Sequence, residues 1–96
     1  MSFLQIQKKK KNDIQHIVDY YDEQAPRISD KFLDLLFAEF EQILKNPEVF
    51  QIKYRETRVR YIKGFPFGIH YQIKGEIVEV LAVLHTSRSP KNWKKR

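Results

Sequence analysis

A chain of 96 residues is long enough for one domain with one core, and a composition that is 42% hydrophobic and 14% aromatic argues against disorder. It has no cysteine and no apolar run long enough to span a bilayer, which excludes disulfides, thiolate metal sites and a membrane-spanning helix. The formal charge is +6 and lopsided: residues 1–48 carry 7 Lys/Arg against 9 Asp/Glu, and residues 49–96 carry 11 against 3.

The second half is therefore the cationic half, and an anionic partner meets it first. Residues 1–7 are too short and too polar for a signal peptide, so a cytoplasmic protein with no membrane contact is expected. Residues 3–7, FLQIQ, alternate apolar and polar as a short half-buried strand does. The run Lys8–Lys11 reads as solvated surface. A first helix follows, with Ile14, Ile17, Val18 and Tyr21 at i, i+3, i+4, i+7 spacing on one face. Ala25-Pro26 closes it, because the residue before proline is pushed out of the helical region.

A second helix is expected to start near Ser29 or Asp30, either of which can cap free amides. Its apolar stripe is Phe32, Leu35, Leu36, Phe40, Ile43 and Leu44, and Asn46-Pro47 ends it. The short link at Ala25–Arg27 favours an antiparallel helix hairpin.

From Phe50 the period changes to two. Residues 50–54 make a weak strand. In residues 57–62, Thr57, Val59 and Tyr61 share one side, with Arg58, Arg60 and Ile62 on the other. Phe67, Ile69, Tyr71 and Ile73 share a face opposite His70 and Gln72. Lys74-Gly75 reads as a two-residue hairpin turn. Ile77–Leu84 is nearly all apolar, as a central strand covered on both faces is. A polar, basic tail occupies 87–96. The expected fold class is α+β: one domain over 1–96, with two N-terminal helices packed on one face of a small twisted antiparallel sheet.

The chemistry available is narrow. His16, His70 and His85 lack ligand-like spacing, so no metal is expected. There is no glycine-rich phosphate loop, and no cofactor is expected. One constellation stands out. Arg58 and Arg60 share a strand side, Lys63 lies just beyond, His70 sits on a neighbouring strand, and His85 and Arg88 leave the end of the central strand. On a small sheet these groups can converge on one cationic surface. Arginine forks hold phosphates or carboxylates, and histidine can move protons near neutral pH.

The stretch from Arg58 to Trp93 resembles the ParE branch of the RelE/ParE toxin superfamily. The residues that carry the likeness are Phe65-Pro66-Phe67, Tyr71, Val80-Leu81-Ala82-Val83, His85, Arg88-Ser89-Pro90 and Trp93. IVDYYDEQAPRISDKFLDLL and NPEVF resemble the family's helix hairpin and its exit, so the likeness covers roughly residues 12–93. It implies the toxin of a type II toxin–antitoxin pair, neutralised by a cognate antitoxin whose C-terminal segment folds around it. The local charge implies that this segment is acidic and amphipathic. Operator DNA would be contacted only through the antitoxin.

The resemblance leaves two targets. ParE-like members poison DNA gyrase, whereas RelE-like members cleave mRNA on the ribosome. RelE-like nucleases carry an arginine about three residues before the middle-strand tyrosine, where this chain has Gly68, and a tyrosine or histidine near the C-terminus, where it has Trp93. The indole has no ionisable proton for acid–base work. A gyrase-binding toxin is the leading expectation. The runner-up is a nuclease using Arg58, Arg60, His85 and Arg88. A third reading is a degraded toxin that retains only antitoxin binding. Target- or antitoxin-facing candidates are Arg58, Arg60, Lys63, His70, His85, Arg88 and Trp93.

Overall fold

The computed structural model describes residues 3–6 and 8–87, with backbone alone for 8–12. Seven elements follow in order: β1 (Phe3–Ile6), α1 (Lys8–Gln24), α2 (Pro26–Lys45), β2 (Ile52–Tyr54), β3 (Thr57–Tyr61), β4 (Phe67–Lys74) and β5 (Ile77–His85). The five strands form one sheet in the order β1-β5-β4-β3-β2. This is the expected α+β arrangement, with two helices against one face of the sheet.

The periodicities predict which residues lie inside. Phe32, Leu36, Phe40 and Ile43 of α2 are buried and meet Ile62, Ile69, Tyr71, Val78, Val80 and Val83 from the sheet. From α1, Ile14, Ile17, Val18 and Tyr21 pack against this core, as their spacing requires. Burying an Ile- or Phe-sized side chain contributes about 1.5–3 kcal/mol each, so this interface dominates stability.

Four details differ from the sequence expectation. The sheet is not wholly antiparallel, because β1 runs parallel to β5, pairing Phe3 with Ile77 and Ile6 with Val80. Alternation marks a strand but carries no direction. Helix α1 starts at Lys8, so the lysine run lies in it. Helix α2 starts at Pro26, with Ala25 as an extended N-cap, and Ser29 does not cap it. Proline is pre-set for a first helical turn, which overrides the capping signal of Ser29 three residues on. The Ser29 hydroxyl is buried and hydrogen-bonds the Asp22 carboxylate and the Pro26 carbonyl, tying the two helices together. Finally, the β4–β5 turn is Gly75-Glu76, one residue later than expected, with Gly75 at φ 61°.

A bulge decides what the end of β5 does. His70 pairs with Ala82 but Tyr71 pairs with Val80, so Leu81 is an extra residue. An extra residue reverses the in–out parity beyond it. Val78 and Val80 face the helices before the bulge, and Val83 faces them after it. Ala82 and Leu84 form a second small cluster with Tyr54. His85 therefore returns to the helix side, where its ring meets Phe67 edge-on at 5.4 Å.

Candidate functional site

The sequence candidates fall into three places, and they do not make one surface. Arg58 and Arg60 pair in register with Tyr71 and Ile69, which puts them on the helix-facing side of the sheet. The Arg58 guanidinium donates to the carbonyls of Glu48 and Phe50 at 3.1 and 2.6 Å. Those carbonyls belong to the loop that leaves α2. Tyr71 holds the same loop by donating its hydroxyl to the Pro47 carbonyl at 2.7 Å. Burial pushes the Tyr71 phenol up to about 12, against the opposing pull of Arg58 and Arg60. Arg60 pairs with Glu39 of α2 and lies 4.6 Å over the Phe50 ring. Both arginines thus clamp α2 and its exit onto the sheet.

His70 sits on the opposite face, almost fully buried, with Nδ1 2.9 Å from the Tyr54 hydroxyl. It shares that face with Val59 and Tyr61. Gly68 lies there too, buried, and a Cβ added to it would stand 3.0 Å from Val59 Cγ1 and 3.3 Å from the Tyr61 ring. A side chain at this position has to push Val59 or the Tyr61 ring aside.

Lys63 and His85 occupy the third place, the end of the sheet beside the helix hairpin. Gly64, at φ 84°, reverses the chain after β3, a left-handed conformation that a side chain would strain. Ile62 N–H donates to the Phe67 carbonyl at 3.0 Å and closes the loop. Phe65 and Phe67 then insert beside Tyr21 and Phe32, with ring centroids 5.3–6.3 Å apart. The Ser87 N–H donates to His85 Nδ1 at 3.0 Å, so the neutral ring carries its proton on Nε2. Arg88 and Trp93 lie outside the described residues, as does most of the basic tail.

Sequence reasoning missed two cations that join Lys63. Arg27 and Lys31, on the first turns of α2, line a cleft of about 700 Å³ with Lys63. Tyr21, Ile28, Leu35 and Phe65 supply its apolar walls. Among the described residues, none of the three cations is in an ion pair. Two further hollows continue the cleft. One, of about 380 Å³, is shared with Tyr21 and reaches Phe67 and His85. The next, of about 220 Å³, starts from Phe67 and His85 and reaches His16 and Asp13. No metal-like group of three His, Cys, Asp or Glu side chains occurs among the described residues. No described helix is long and apolar enough to cross a membrane.

Comparison with known proteins places this geometry. The family described as ParE toxin of type II toxin-antitoxin system, parDE, matches residues 4–90. No curated protein matches the sequence. Among solved structures, a chromosomal ParDE TA system from P. aeruginosa superposes with a TM-score of 0.76. The identity is 18%, and the match covers 88% of this chain and 96% of that one. At that identity the likeness speaks for the fold.

Proposed function

This chain belongs to the ParE toxin family of type II toxin–antitoxin systems, and we propose that it arrests growth in the cytoplasm by binding and inhibiting DNA gyrase. The observation that carries this reading is Gly68. An arginine there would help a nuclease grip its RNA, but Val59 and Tyr61 already occupy the space above that backbone. The other arginines that a nuclease would use, Arg58 and Arg60, spend their donors on α2 and its exit loop. A guanidinium already bonded inside the fold has to be released before it can grip a phosphate. What stays open is a binding surface, with Lys63 and His85 beside an apolar cleft. In this reading Arg58, Arg60 and His70 support the fold, while Lys63 and His85 face the target.

The test is supercoiling by purified gyrase at excess toxin. Loss of supercoiling is the expected result, and unchanged supercoiling counts against the proposal. A second reading, ribosome-dependent mRNA cleavage, draws on one feature: His85 is exposed at the open end of the sheet, and an imidazole is a side chain suited to general acid–base work. It predicts cleaved message when the toxin meets translating ribosomes. Intact message with active ribosomes removes it.

A further inference from the structure

We propose that the segment after Ser87 folds back across the sheet face opposite the helices, with Trp93 as its anchor on Tyr61, Gly68 and Leu84. The inference concerns the chain by itself and does not depend on its target.

The first observation is a burial that the described elements leave unexplained. Val59, His70, Ala82 and Leu84 lie on the face away from the helices, yet they are only 4%, 1%, 3% and 6% exposed. Gly68 lies among them and is buried too. Register sets these residues in two rows across three strands. One row is Ala82, His70 and Val59, and the other is Leu84, Gly68 and Tyr61. An uncovered sheet face leaves its side chains partly in water, and the same face supplies the comparison. Phe3 and Ile77, paired at its β1 edge, remain 58% and 38% exposed.

Elimination leaves one segment to cover the strip. Both helices pack on the other face. The 46–51 loop is tied to that same side by Arg58 and Tyr71. The 62–66 turn sends Phe65 in beside Tyr21 and Phe32. Residues 1–2 adjoin Phe3, at the exposed edge. Tyr54 reaches over from β2 to Ala82, Leu84 and the His70 ring. One phenol does not span a strip two strand spacings, about 10 Å, wide. What remains is the chain that leaves β5 at the Leu84 end of the strip.

That segment has the reach and the chemistry. The Thr86 N–H donates to the Pro66 carbonyl at 2.9 Å, which fixes where the chain departs. From Ser87 to Trp93 an extended chain spans roughly 20 Å, more than the distance from β5 to β3. Pro90 holds Ser89 extended, as a crossing segment requires. Trp93 is the only large apolar side chain after Leu84, and Lys91, Lys94, Lys95 and Arg96 favour water. Gly68 prepares the seat. With no side chain there, Val59 and the Tyr61 ring close over its backbone and make a smooth apolar platform. An indole packs its broad face on such a surface. Trp93 then serves as an anchor rather than as a contact kept free for the target, and it carries the cations around it to the β3 side of the sheet.

The chain has one tryptophan and no cysteine, so both the anchor and its location can be read cleanly. Trp93 fluorescence is recorded for the full chain, folded and in denaturant, with acrylamide as quencher. The folded chain is expected to emit further to the blue and to resist quenching. Location comes from a nitroxide on Lys94→Cys, read as NMR broadening of backbone amides against the reduced label. Broadening is expected to be strongest at Tyr61 and Gly68 and weak at Ile28 and Lys31 of α2. Trp93→Ala is expected to lower the folded-to-unfolded ratio about 5–30-fold. Phe3→Ala, which removes an exposed ring from the same face, is expected to stay within about twofold. Emission and quenching unchanged by unfolding would overturn the proposal. A shielded indole whose label broadens α2 instead of the strip would overturn it as well. Shielding lost on dilution would assign Trp93 to a second copy, and Trp93→Ala as stable as Phe3→Ala would remove the anchor; either result rejects the proposal.

Discussion

Two regions of this molecule carry arginine and lysine on the same small fold, and they use them in opposite ways. On β3, Arg58 and Arg60 point under the helix layer, where carbonyl oxygens, a carboxylate and an aromatic face wait for them. At the hairpin end, Arg27, Lys31 and Lys63 ring an apolar cleft, and among the described residues none of them has an ion-pair partner. Position in a cationic sequence is thus a poor guide to function. What decides is whether the fold has already satisfied the donors.

Substitutions can break this contrast, and the largest effect is expected away from both sets of cations. Gly68→Arg restores the residue type of the nuclease branch but forces Val59 and the Tyr61 ring aside. We expect a loss of about 3 kcal/mol in chemical denaturation and no gain of mRNA cleavage. Next comes the Tyr71 phenol, whose folded pKa of about 12 lies above its ordinary value of 10.0. A pKa raised by folding stabilises the fold fully below the lower value, and that contribution is lost as pH rises through the higher one. Stability should fall by about 2–3 kcal/mol between roughly pH 10 and pH 12, and Tyr71→Phe should flatten that slope.

Arg58→Ala is expected to cost about 2 kcal/mol, because two loop carbonyls lose a charged donor. Arg60→Ala should cost about 1 kcal/mol, since its bridge to Glu39 is partly open to water and screened. The smallest effect belongs to the other region. Lys31→Ala and Lys63→Ala should change stability by less than about 0.5 kcal/mol. Their consequence should appear in gyrase inhibition instead. A large stability loss at Lys31 or Lys63, measured by thermal unfolding, would erase the contrast.

The sequence disclosed the helix stripes and which strand residues share a side, Arg58 with Arg60 among them, because period 3.6 and period 2 each map residues to a face. It could not disclose what stands opposite that face. Glu39 is 21 residues from Arg60 along the chain, and the Glu48 and Phe50 carbonyls belong to backbone that no side-chain pattern marks. His85 was legible as a candidate but not as a neighbour of Phe67, since the extra residue at Leu81 reverses the alternation that would otherwise turn it away. Arg27 and Lys31 gave no signal of their own. They are ordinary exposed helix cations until the 62–67 turn brings Lys63 across to them. Direction was the other hidden quantity, and it is why β1 proved parallel to β5.

The most direct measurement is a supercoiling titration of purified gyrase with the wild type and with Arg60→Gln, the variant first confirmed as folded. The account predicts that both inhibit, with half-maximal concentrations within about twofold of each other, because the Arg60 guanidinium serves α2 rather than the target. Inhibition by the wild type that disappears in folded Arg60→Gln would contradict the separation of structural from binding cations. Gyrase that supercoils unhindered by the wild type would contradict the proposed target itself.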